Sequence, residues 1–167
     1  MRATRFPLLA GLLLAAGGPL PAASLNGTYD DKGTQVAMAV DGPSGAASLH
    51  ALLGQQPDPV LASLDFDGTG SVRFAEANGV LDIEIFGEQG QRIWHDRWSA
   101  REGFSYEGNS AVIRMQLGAS PDHRWVLVLN PDDAGRVLEV KAYRVLQSLL
   151  GPHGEPVGTY VFTRRDD

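Results

Sequence analysis

Across residues 80–86 apolar and acidic side chains alternate: Leu81, Ile83 and Ile85 fall on one parity, Asp82 and Glu84 on the other. Successive side chains of a strand point to opposite faces, so this period of two describes a strand with one buried face and one wet face. Residues 111–117 repeat the pattern, placing Ile113, Met115 and Leu117 inside. Further runs rich in Val, Ile, Phe, Tyr and Trp lie at residues 34–40, 60–66, 71–74, 91–98, 104–106, 124–129, 136–146 and 159–163. Turn residues separate them, among them Asn78-Gly79, Gly87 to Gly90 and Asn130 to Gly135.

Turn signals roughly every 8–12 residues favour a sandwich or an up-and-down barrel over a fold that alternates strands with helices. The expected class is therefore all-β, mainly antiparallel: a small β-barrel or barrel-like sandwich, lipocalin-like in shape only, with one short helix. That helix is expected at residues 44–53, with Ser44 as its cap and Leu49, Leu52 and Leu53 as its apolar side. Residues 145–150, ended by Gly151-Pro152, have helical spacing as well. The tripeptide Gly27-Thr28-Tyr29 recurs as Gly158-Thr159-Tyr160 near the two ends, where first and last strands pair when a meander closes.

The start of the chain addresses it. A basic opening with Arg2 and Arg5 precedes an apolar run from Phe6 to Ala16, followed by small residues and prolines up to Ser24. This is the order of a secretory signal peptide. The run is shorter than the about 20 residues of a membrane span. Residues 1–23 are expected to be the leader and 24–167 a single β-rich domain, starting between Ala23 and Leu25. The chain has no cysteine, which excludes disulfides, thiolate metal sites and a lipid-bearing leader. Cysteine-free export suits a bacterial periplasm better than a eukaryotic secretory route.

Removing the leader takes two arginines and no acidic residue, moving the formal charge from -6 to -8. Such an acidic chain argues against nucleic acid and anionic membrane surfaces as partners. With no further long apolar run, no membrane span is expected in the mature chain.

One local pattern points to a metal. Asp65, Asp67, Thr69 and Ser71 alternate around Gly70, and Glu76 follows. This stretch, residues 65–76, resembles the calcium loop of EF-hand proteins. That loop takes oxygen ligands at its first, third, fifth and seventh positions, a glycine at the sixth and a bidentate glutamate at the twelfth. The resemblance implies calcium on Asp65, Asp67, Thr69, Ser71 and Glu76. The flanks differ: Arg73 occupies the ninth position, prolines 57 and 59 precede the loop, and Asn78-Gly79 follows it. Those flanks favour a β-hairpin turning at residues 67–70, with no cofactor, and leave calcium as the alternative.

His50, His95, His123 and His153 have no paired metal-ligand spacing. His95 and Asp96 are strand neighbours, so they face opposite ways and cannot act together. Trp94 and Trp98 share a parity with Asp96, while Trp125 shares one with Leu127 and Leu129. If these faces converge, the three tryptophans line one interior and become the candidate ligand-binding residues. No nucleophile, paired carboxylates or metal cluster can be nominated as catalytic. The sequence therefore points to an exported, non-enzymatic binding or inhibitory domain. Its partner would be a small apolar or amphipathic ligand or another exported protein. The alternative is a calcium-binding structural module.

Overall fold

A computed structural model of the protein describes residues 24–38, 47–54 and 69–166. Its elements in chain order are β1 (Gly27–Asp30), β2 (Lys32–Met38), β3 (Ala47–Ser48), α1 (Leu49–Leu53), β4 (Thr69–Ala77) and β5 (Val80–Gly87). They continue as β6 (Arg92–Trp98), β7 (Phe104–Glu107), β8 (Ser110–Gln116), β9 (His123–Pro131), β10 (Val137–Ser148) and β11 (Gly151–Thr163). The described chain is mostly antiparallel β-structure in two sheets, one ordered β1-β4-β5-β6 and the other β3-β2-β11-β10-β9-β8-β7. The leader at residues 1–23, the expected strand at 60–66 and the first four residues of the calcium-loop lookalike lie outside the described residues.

The alternation that defined β5 fixes its burial. Leu81, Ile83 and Ile85 are wholly buried against the second sheet's Ile113, Leu127 and Leu129 in one apolar cluster. Met115 is also buried, whereas Leu117 lies beyond the end of β8 and is only partly covered. Asp82 and Glu84 take the opposite face, as a period of two demands, yet they are half-covered. Arg97 and His95 lie over Asp82, and Arg73 and Arg92 over Glu84. Long arginine stems shield the carboxylates while their heads stay in water.

Asn78 and Gly79 join β4 to β5 with φ of 55° and 75°. Two positive φ values make the turn that matches strand twist, which is why this dipeptide is so often a hairpin loop. The hairpin expected to turn at residues 67–70 falls partly outside the described residues. Thr69 and Gly70 belong to β4, which pairs with β5 from Thr69↔Gly87 to Ala77↔Val80.

Two expectations about helices need correction. The cap of α1 is Ser48, not Ser44: the Ser48 hydroxyl accepts from the Ala51 N–H at 3.4 Å. The helix is accordingly short, and residues 39–46 fall outside the described chain. Residues 145–148 are the end of β10, and only Leu149 and Leu150 form a turn. Cross-strand pairing overrides helical spacing here. Val145 pairs with Gly154 on one side and Arg124 on the other, and Ser148 pairs with Gly151.

The last strand pairs with β2 rather than with β1, which carries Gly27-Thr28-Tyr29 and pairs with β4. β2 runs against β11 from Gly158↔Met38 to Val161↔Thr34, and Tyr29 of β1 bridges Arg164 just past β11. β1 and β2 are thus two halves of one strand bent at Asp31, each half serving a different sheet. At the far side β6 pairs only with β5, and β7 only with β8. The described strands therefore do not close into a barrel.

Candidate functional site

The bend at Asp31 gathers the largest group of buried polar side chains. Asp31 is wholly buried, and Ser48, His50 and Thr69 are nearly so. One carboxylate oxygen, Oδ1, accepts the His50 backbone N–H at 2.8 Å. The other, Oδ2, accepts the Ser48 hydroxyl, the Thr69 hydroxyl and His50 Nδ1, each at 2.8 Å. A carboxylate can only accept, so the proton between the two rests on Nδ1. The Asp31 main chain joins in: its carbonyl accepts from the Leu49 N–H at 2.8 Å, and its N–H donates to Gly70 at 3.2 Å.

Burial would raise the Asp31 pKa. The side-chain and backbone hydrogen bonds from His50, with that from Thr69, outweigh it and hold the carboxyl below its ordinary range.

Serine, histidine and aspartate together invite comparison with a hydrolytic triad, but the connectivity differs. Such a triad strings its members along both ring nitrogens. Here Ser48 Oγ lies 2.5 Å and Thr69 Oγ1 3.1 Å from the same Nδ1 that meets Asp31. The hydroxyl protons point at the carboxylate. The arrangement ties the strand bend, the helix start and the head of β4 into one node.

Beside the node a cavity of about 240 Å³ opens between Asp30, Lys32, Thr69, Gly70, Glu88 and Arg165. It is polar and largely self-paired. Arg165 donates to Asp30 Oδ1 and to the Gly70 carbonyl, both at 2.6 Å, and Lys32 stands 4.0 Å from Glu88.

All three tryptophans proposed from their strand parity are buried in the core between the sheets. Trp94 and Trp98 enter from β6 and Trp125 from β9, and all three are buried in the shared cluster. Trp98 donates its indole N–H to Asp96 Oδ2 at 2.7 Å, and Trp125 donates to the Leu52 carbonyl at 2.9 Å. Asp96 is thus the polar group beside the tryptophan face, while His95 points outward to Asp82 at 3.2 Å.

The described members of the calcium-loop lookalike lie along one extended strand. Thr69 and Ser71 are buried at its start, with Thr69 held by Asp31. Glu76 sits near its other end, roughly 16 Å from Ser71 at about 3.3 Å per residue. There it accepts the Gly79 N–H at 2.9 Å. Asp65 and Asp67 lie outside the described residues. Among the described residues no three His, Asp or Glu side chains converge as metal ligands.

Sequence reasoning passed over Asp31, Ser48 and the tip of the last hairpin. At that tip Leu149 and Leu150 have relative exposures of 107% and 101%. The signal for it was present: two leucines directly before Gly151-Pro152, with no Asp, Glu, Lys or Arg from Val145 to Gly154.

Compared with known proteins, the chain matches no family model, no curated protein and no solved structure. No helix among the described residues is long and apolar enough to cross a membrane.

Proposed function

We propose that this protein is an exported, non-enzymatic binding or inhibitory domain that acts through its surface, on a rigid barrel-like body in the periplasm. The observation that carries the reading is the hairpin tip. Leu149 and Leu150 stand free in water, whereas the other exposed large apolar side chains among the described residues, Val36, Leu146 and Tyr106, are each partly covered. Exposed paired leucines raise the cost of keeping a domain soluble, and they recur where a surface meets a partner.

The barrel-like form is supported by strand order. From β6 the strands run through β5, β4 and β1, cross the Tyr29–Arg164 bridge to β11, and continue to β7. Among the described residues, the β6 to β7 seam is the break in that circuit with no bridge across it. This supports a lipocalin-like shape with the tryptophans inside.

A second reading follows from that interior: a small apolar or amphipathic ligand held against Trp94, Trp98 and Trp125. Their burial in the core shared by both sheets is what supports it. Tryptophan emission of the mature protein, titrated with palmitate and with 1-anilinonaphthalene-8-sulfonate, separates the two. Surface action predicts no saturable shift with either probe. A saturable blue shift lost in Trp98→Phe would favour the interior. Export itself is checked by N-terminal sequencing of the periplasmic fraction: recovery of Met1 would refute it.

A further inference from the structure

Building on the surface-binding reading, we infer that the β10–β11 tip is a docking element whose Leu149 and Leu150 insert together into a concave apolar socket on another protein.

Local turn chemistry does not account for these residues. Two-residue hairpin loops take Asn, Asp or Gly, because those residues tolerate positive φ or bond their own backbone. Here both leucines have negative φ and Gly151, at φ 112°, absorbs the reversal. The turn holds itself with small groups: Ser148 Oγ donates to the Gly151 carbonyl at 2.8 Å and accepts the Leu150 N–H at 3.3 Å. Leucine adds nothing to that geometry except apolar area held in water. A position that breaks a local rule without a local gain points to function.

The hairpin also projects. Pairing of β10 with β9 ends at Leu146↔His123, and that of β11 with β2 ends at Gly158↔Met38. Among the described residues, Gly151 to Val157 has a neighbour on the β10 side only. That edge is a poor template for strand addition, because Pro152 and Pro156 have no N–H to offer. Contact through side chains at the tip is the mode left.

Three occupants compete for such a tip. A lipid surface wants basic or aromatic residues around the apolar contact. The ten residues from Val145 to Gly154 include neither Lys nor Arg, nor any Phe, Trp or Tyr, and the chain is acidic at -6. A second copy offers no apolar receiver in the cavity described here, whose walls are Asp30, Lys32, Glu88 and Arg165. Tip-to-tip contact of two convex turns would fall short of the about 1,000 Å² expected of a stable interface. A concave socket on a different protein buries both leucines and the flanks of the hairpin together.

The test uses the full chain in the cells that produce it. A photo-crosslinking residue replaces Leu149, Leu150, the edge residue Glu155, or Arg97 on the opposite sheet. Positions 149 and 150 are expected to capture the same protein, and positions 155 and 97 to capture none. Purified and titrated by calorimetry, that protein should bind at least tenfold more weakly to Leu149→Ser and to Leu150→Ser, whose melting temperatures match the parent. Leu150→Met should retain binding. Adducts from 155 or 97 alone would leave the binding reading intact and overturn the tip. Adducts from no position would overturn both. Two further arms use purified protein: co-sedimentation with phosphatidylglycerol–phosphatidylethanolamine vesicles, and analytical ultracentrifugation. Vesicle binding or self-association lost in the Leu149→Ser, Leu150→Ser double variant would overturn the proposed class of partner.

Discussion

His50 meets Asp31 twice across 19 residues of sequence: its backbone N–H reaches Oδ1 and its ring Nδ1 reaches Oδ2, both at 2.8 Å. A single side chain is thereby held by main chain and ring together, at the point where one strand leaves the first sheet for the second. Neither partner can rotate away without stranding the other in a region closed to water. The node explains how a very short helix keeps a fixed place, since α1 alone is too short to be stable.

Asp31→Asn is expected to be severely destabilising. The amide keeps one acceptor oxygen but aims an NH₂ at donors already committed to Oδ2. Hydrogen bonds to a buried carboxylate are worth about 1.5–3 kcal/mol each, and urea denaturation followed by tryptophan emission measures their combined loss. A loss under about 1 kcal/mol would show that the node is not a structural tie.

Acid should unfold the protein partly through this same carboxyl. Its folded pKa lies below the ordinary 3.8, so as pH falls the unfolded state takes up the proton first. The stabilisation is therefore complete well above 3.8 and is lost as pH drops through the lower folded value. Melting temperature should stay level through neutral pH and fall below about pH 4, with a shallower acid limb in Asp31→Asn. Equal acid limbs in the two proteins would assign the effect to other groups.

Trp125→Phe tests a different kind of contact. The substitution retains much of the packed area but removes the donor that satisfies the Leu52 carbonyl. Leaving a buried acceptor unpaired costs about 1–3 kcal/mol, so Trp125→Phe should lose more stability than the small change in volume implies. Hydrogen exchange at α1 should rise in parallel. Unchanged exchange there would mean that the indole N–H does not anchor the helix.

Calcium should leave the protein unchanged. Glu76 is occupied at the β4–β5 turn and lies along an extended strand from Ser71. Chelator-stripped protein is expected to melt at the same temperature with and without millimolar calcium. A one-to-one micromolar signal in calorimetry, abolished by Glu76→Gln, would restore the calcium-loop reading.

Local pattern made much of this architecture legible. The alternation in β5 gave the buried set Leu81, Ile83 and Ile85, and Asn78-Gly79 marked its turn, because both signals lie within a few residues of the structure they produce. The Asp31 node gave no such sign: its partners Ser48, His50 and Thr69 stand 17, 19 and 38 residues away. The β10–β11 hairpin was obscured for another reason. Val145, Leu146, Leu149 and Leu150 fit a helical face as well as a strand, and β11 begins with glycines and prolines that resemble a loop. Only pairing with β10, in a register no local rule reveals, makes that segment a strand.

The strand bent at Asp31 has a consequence for the order of assembly. Its second half rests on β11, which lies far along the sequence, so β2 completes its sheet only after that distant segment has been synthesised. Contacts that span most of the sequence are closed late and slowly, and until then their hydrogen-bonding groups stay open. A chain interrupted before Gly158 would leave β2 with no neighbour at that edge, which makes the β2–β11 pairing a checkpoint on the presence of that distant segment.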